Sequence, residues 1–269
     1  MMAVEDDGRC AEQPPAMRRR ELLGVPAALA GGLVVAGCAS APGMDAVLGA
    51  GTAVSPPAGT PGAEDEVPVT PPEDLMREHG VLKRILLIYR EGIRRLEVGE
   101  AAPYQELNAG ARIIRSFIEE YHERLEERYV FPRLVKAGKL TDVVPVLVLQ
   151  HQRGRLVTSR IIDATGRAAP RESPPVTPRP TRSPRQGLVA DMNAFIRMYE
   201  PHEAREDTVV FPALRDVVPP KEFLDMAEIF EDEEHRRFGA AGFTGVVNQV
   251  ADIEKRLGIY NLAQFTPRG

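Results

Sequence analysis

Cysteine is nearly absent from this 269-residue chain: there are two, Cys10 and Cys38, both within the first 40 residues. The remainder therefore has neither a disulfide framework nor thiolate metal sites, and any metal chemistry must use nitrogen and oxygen. A basic excess is missing as well. Lys plus Arg number 34 against 39 Asp plus Glu, a net charge of -5, so nothing overall invites nucleic acid or an anionic membrane surface. No apolar run reaches the ~20 residues of a spanning helix. What the chain does have is 43% apolar residues, enough to fill a sizeable helical core, and a small set of informatively spaced histidines.

Residues 18 to 38 form a basic cluster, Arg18-Arg19-Arg20, then 16 mostly apolar residues ending at Gly37-Cys38, the layout of a signal peptide. Arg19-Arg20-Glu21-Leu22-Leu23 resembles a twin-arginine export signal, and Val35-Ala36-Gly37-Cys38 resembles a lipoprotein processing box. Together these resemblances imply export of a folded protein to the periplasm or cell exterior, tethered to the membrane by lipid on Cys38. Residues 39 to 69 are rich in Ala, Gly, Pro, Ser and Thr and read as a flexible linker that cannot bury enough surface to fold. The folded part is expected to start at Thr70-Pro71-Pro72-Glu73, a capping residue followed by Pro at the first helical position and Glu three residues on.

Four helical stripes follow. The first carries Leu75, Leu82, Leu86, Tyr89, Ile93 and Leu96, with His79 filling the gap in the spacing. The second, from about 103 to 129, places His122 among Ile114, Ile118, Leu125 and Tyr129. A third, about 142 to 165, sets His151 beside Leu147 and Thr158. The fourth, about 186 to 210, carries Met192, Phe195, Tyr199, His202 and Glu206, and Pro201 is expected to kink it. Residues 167 to 186 hold six Pro and five Arg and read as an extended loop. Two further helices, Pro220 to Phe238 and Phe243 to Leu257, make up a C-terminal extension over 217–269.

An internal repeat organises the domain over 70–216. His122-Glu-Arg-Leu-Glu-Glu-Arg-Tyr-Val-Phe-Pro-Arg-Leu134 aligns without gaps to His202-Glu-Ala-Arg-Glu-Asp-Thr-Val-Val-Phe-Pro-Ala-Leu214, with 7 of 13 positions identical. A lone histidine, His79 or His151, precedes each copy by 43 or 51 residues. Each half is thus a helical hairpin giving one His from its first helix and His-x-x-x-Glu from its second. Residues i and i+4 share a helix face ~6 Å apart, so His122 with Glu126 and His202 with Glu206 project inward together. Two ionised Glu in a bundle seam are costly and repel each other. A pair of divalent cations removes both costs, and imidazole with carboxylate suits iron, manganese or zinc. His235 sits in the charged run 231–237 and reads as part of a solvated face.

The order His, His-x-x-x-Glu, His, His-x-x-x-Glu resembles the hemerythrin-like, HHE cation-binding family. The resemblance covers about residues 71 to 216 and implies an all-α, up-down four-helix bundle holding a non-haem di-iron centre. It would place His79 and His122 on one iron, His151 and His202 on the other, and Glu126 and Glu206 across both. It also implies a small diatomic ligand or peroxide as the reacting partner. Two departures from the oxygen carriers stand out: Arg155 where a carrier has a second His, and His-x-x-x-Glu at 202–206 where carriers have His-x-x-x-x-Asp. These turn the expectation from reversible carriage toward sensing or redox chemistry. Glu123 and Glu203 follow the ligand histidines and are read as ligands, ring-orienting groups or helix-interface residues; Tyr121, Tyr199 and Arg155 are candidate hydrogen-bond donors to a bound ligand.

Overall fold

The computed structural model describes residues 69–166, 183–267 and 269. The expected signal segment, the lipidation cysteine, the linker and most of the Pro/Arg-rich loop lie outside the described residues. Those described form helices, with no strand among them. Helix α1 is Pro71–Glu97; α2 runs continuously over 104–136; α3 is Val144–Gly166; α4 runs over 184–217. The extension adds α5, Pro220–Phe238, and α6, Gly242–Leu257. Among the described residues no helix is long and apolar enough to cross a membrane.

Local chemistry sets the ends. Thr70 and Glu73 form the expected capping box at α1, and Ser183 with Gln186 forms a second at α4, where Ser183 Oγ accepts from the Gln186 N–H at 3.2 Å. This second box starts α4 at Pro184, two residues before the sequence expectation. Gly239 and Gly258, both at positive φ, close α5 and α6.

The four long helices pack as an up-down ring in which α1 meets α2 and α4, and α3 meets α2 and α4. Leu75, Leu82, Ile85 and Tyr89 of α1, Ile114 and Phe117 of α2, Ile161 of α3, and Met192 and Phe195 of α4 are buried between them. Each such side chain contributes about 1.5–3 kcal/mol of apolar burial. Helix α6 lies against α1 and α2. Phe238 at the end of α5 packs on Phe117 and Tyr121 with ring centroids 5.3 Å away in each case.

Two departures from the sequence expectation matter for the site. Helix α4 runs past Pro201 without a break. Instead, α2 and α4 widen into π geometry at equivalent places, Glu126–Val130 and Glu206–Val210, each followed by Phe-Pro. Pro132 and Pro212 have no N–H to give, and their rings crowd the carbonyl four residues back. The chain absorbs this in one wide turn, with the N–H of Phe131 donating to Glu126 O and that of Phe211 to Glu206 O. Both helices therefore continue beyond their expected ends, and Phe131 and Phe211 stay in the core. A longer π stretch, Ile114–His122, ends on the first histidine of the repeat.

Candidate metal centre

The six residues singled out from sequence converge at the middle of the ring. His79, His122, Glu126 and Glu206 present donor atoms that all lie within 4.8 Å of one another, as do His151, His202 and Glu206. The Nε2 atoms of His79 and His202 lie 3.4 and 3.1 Å from Glu206 Oε2. Those of His122 and His151 lie 3.7 and 3.5 Å from Glu126 Oε2. His151 and His202 face each other Nε2 to Nε2 at 3.1 Å, two nitrogens converging on one point. All six residues are buried, the histidines at most 4% exposed.

The outward nitrogens explain why the rings stand this way. Nδ1 of His79 donates to Asp207 at 2.7 Å and that of His151 to Glu127 at 3.1 Å. Nδ1 of His122 donates to Glu78 at 2.7 Å and that of His202 to the Gln150 amide oxygen at 2.9 Å. An acceptor on Nδ1 keeps the proton there and leaves the Nε2 lone pair facing the centre, the arrangement of a metal-binding imidazole. The pairs obey the internal repeat. The residue after each central Glu holds the lone His of the other half, and the residue before each lone His holds the paired His of its own half. Phe211 stacks on His79 and Phe131 on His151, at 5.6 and 5.7 Å.

Sequence reasoning missed Glu78, Glu127, Asp207 and Gln150. Each adjoins one of the six in the chain and reads as an ordinary polar neighbour. The usable trace was the repeat itself: Glu127 falls on Asp207 in the alignment, and residues 78 and 150 each stand just before a lone His. Glu123 and Glu203, by contrast, are drawn to partners at the helix interfaces. Glu123 accepts from the Tyr199 hydroxyl and pairs with Arg155, both at 2.7 Å, and Glu203 pairs with Lys83 at 2.6 Å. Arg155 and Lys83 are again equivalent, each four residues after a lone His. Tyr199 reaches Glu123 because Gly154 leaves the space; a Cβ there would stand 2.0 Å from the tyrosine oxygen. His235 is exposed on α5, away from the cluster.

The electrostatics at the centre call for positive charge. No oxygen of Glu126 or Glu206 has a hydrogen-bond partner, although both side chains are fully buried. Burial, with the charge of Glu206 beside it, pushes Glu126 well above the carboxylate range. Burial pushes Glu206 the same way, but His202 and His79 outweigh it and hold this carboxyl low. For His79, burial opposes protonation, yet Asp207 and Glu206 raise it to about 9. Burial lowers His122 well below the usual value and His151 to about 4. Four imidazole nitrogens around two buried carboxylates whose oxygens accept nothing form a donor set that fits borderline divalent metals.

The sequence model of the family described as Hemerythrin HHE cation binding domain matches residues 70–214. The chain belongs to this family. As an HHE cation-binding protein, it carries its donor cluster wholly within the matched region, while α5 and α6 lie beyond it. The chain is also 59% identical over 256 residues to the uncharacterized proteins Rv1995 and MT2051 of Mycobacterium tuberculosis and Mb2018 of Mycobacterium bovis, with 94% of this chain and 92% of each relative covered. No solved structure gives a significant match.

Proposed function

We propose that this HHE protein holds two iron ions between its halves and uses them in redox chemistry on, or sensing of, a molecule as small as oxygen, nitric oxide or peroxide. The observation that carries the reading is the pair Glu126 and Glu206, whose four carboxylate oxygens are buried and accept no hydrogen bond amid four inward Nε2 atoms. His79 and His122 would hold one ion and His151 and His202 the other, with the two glutamates across both. Iron held there would supply electrons to the small molecule. The chain's own part is to orient the rings through Asp207, Glu78, Glu127 and Gln150, and to exclude water with Phe131 and Phe211. Tyr121 and Glu127 also line an outer cleft of about 580 Å³ between α2 and α5, which supports approach from that side.

Arg155 favours this use over reversible carriage. Its guanidinium lies 2.7 Å from both Glu123 and Glu127, and it supplies no nitrogen ligand where a carrier has its extra histidine. Fewer protein ligands leave more of an ion's coordination sphere to the reacting molecule. Purified protein should contain about two iron atoms per chain, and its absorption should bleach over repeated additions of peroxide. A stable, reversible oxygen adduct would turn the reading to carriage; iron that neither bleaches nor binds oxygen would turn it to storage. Glu126→Ala with Glu206→Ala should remove the iron and His235→Ala should not.

The export reading rests on Arg19-Arg20 and on Val35-Ala36-Gly37-Cys38. It fits a protein whose metal site exists only once folded. Expressed with its signal, the protein should fractionate with membranes and carry lipid at Cys38 by mass spectrometry. Cys38→Ala should release it, and a wild-type protein found wholly unmodified would refute tethering.

A further inference from the structure

Outside the centre, on the far side of His122, a second group of donors comes together. Asp74 and Glu78 lie one turn apart on α1, and Glu234 reaches them from α5; one carboxylate oxygen of each lies within 4.8 Å of the others. Three carboxylates this close repel, and the positive charge at hand is the Arg77 guanidinium, 3.3 Å from Asp74. Glu78 is the telling member. Its side chain is fully buried, Oε2 accepts from His122 Nδ1, and Oε1 has no hydrogen-bond partner. The buried Tyr121 hydroxyl adjoins this carboxyl.

The extension is shaped to bring Glu234 here. Phe230 and Phe238 anchor α5 on Tyr129 and Tyr121. The N–H of Phe243 holds Glu234 Oε1 at 2.8 Å. Gly242, at φ +44°, leaves room for that carboxylate, since a Cβ would stand 2.3 Å from the same oxygen. Glu234 and Gly242 both lie beyond residue 214, where the family match ends.

We propose that Asp74, Glu78 and Glu234 form a third cation site, for a hard divalent ion, between the family bundle and the C-terminal extension. An all-oxygen set with no imidazole selects ions such as manganese(II), magnesium or calcium over those favoured by the histidine-rich centre. The site adjoins that centre through one residue, because Glu78 belongs to both. An ion on Oε1 draws electron density from the carboxylate that orients His122, so occupancy of the outer site changes the basicity of that imidazole.

The test is manganese(II) binding to the full chain, followed by loss of the free-ion paramagnetic resonance signal. Asp74→Asn with Glu234→Gln should bind one Mn²⁺ fewer per chain than wild type, while the iron content of the centre is unchanged. Glu126→Ala with Glu206→Ala should keep that one Mn²⁺ and lose it when the outer pair is added. Equal stoichiometry in the wild type and the outer variant overturns the third site and leaves the central reading intact. Loss of nothing in the Glu126/Glu206 variant overturns the central reading instead. Should the outer double variant fail to fold, Glu234→Gln alone decides, because that side chain is half-buried and Gln keeps an oxygen for the Phe243 N–H.

Discussion

Glu78 and Gln150 stand at equivalent places in the two halves, each accepting from the Nδ1 of a buried histidine, and one is a carboxylate where the other is an amide. The His79/His122 side is therefore backed by Asp207 and Glu78, and the His151/His202 side by Glu127 and a neutral group. A carboxylate behind an imidazole makes it a stronger donor. The first side also gathers four donors within reach, the second three.

The two positions should consequently fill in order. A chelator-competition titration of metal-free protein should resolve a tighter and a weaker ion. Glu78→Gln should weaken the tighter one roughly 10–100-fold, and Gln150→Glu should tighten the weaker. Two indistinguishable steps in wild type, unmoved by either change, would contradict this.

Metal uptake should release protons near neutral pH. His79 is raised to about 9, so it carries a proton at pH 7 that a bound cation must displace; burial and the charge of Glu206 push Glu126 in the same direction. Apparent affinity should fall as pH drops from 8 to 6, by about tenfold per unit for each proton displaced. Calorimetry in buffers of different ionisation heat reads that number directly; a heat independent of buffer would be the contrary result.

Metal-free protein should lose stability as pH rises. Burial raises Glu78 and Glu123 to about 8 and Asp74 to about 7, whereas in the unfolded chain such groups ionise near pH ~4. The folded state thus holds more protons between these values. The contribution is fully present below pH ~4 and disappears as pH climbs through 7 to 8. Thermal midpoints should drop between pH 5 and 8.5, and the drop should shrink with metal bound. A rise over this interval would contradict the assignment.

Gly154→Ala should be costly out of proportion to one methyl group. Its Cβ would collide with the Tyr199 hydroxyl and displace the tyrosine from Glu123, so we expect about 1–3 kcal/mol of destabilisation in denaturant unfolding. Tyr199→Phe removes the colliding oxygen. Combined with Gly154→Ala it should cost less than the two single changes added together; simple additivity would place the clash elsewhere.

The clustered histidines and glutamates were legible in sequence because i and i+4 share a face and the motif occurs twice. The bundle was legible from the stripes those residues interrupt. What surrounds the cluster was not. Asp207 meets His79 across 128 positions of chain, and a polar residue beside a ligand looks the same in sequence whether it faces water or a ring nitrogen. Nor was the continuation of each helix past Pro132 or Pro212, since proline normally marks the approach of a helix end. Here each follows a turn wide enough to take it.

Those wide turns make the spacing between glutamate and phenylalanine a counted distance. Glu126 opens one and Phe131 follows it; Glu206 and Phe211 repeat the arrangement. Each wide turn already takes up one extra residue, so a further residue added inside either stretch would swing everything beyond by roughly 100°. The aromatic ring would leave the histidine of the opposite hairpin while the carboxylate kept its place. Length variation among related proteins should therefore spare these two five-residue windows and gather instead in the connections between helices.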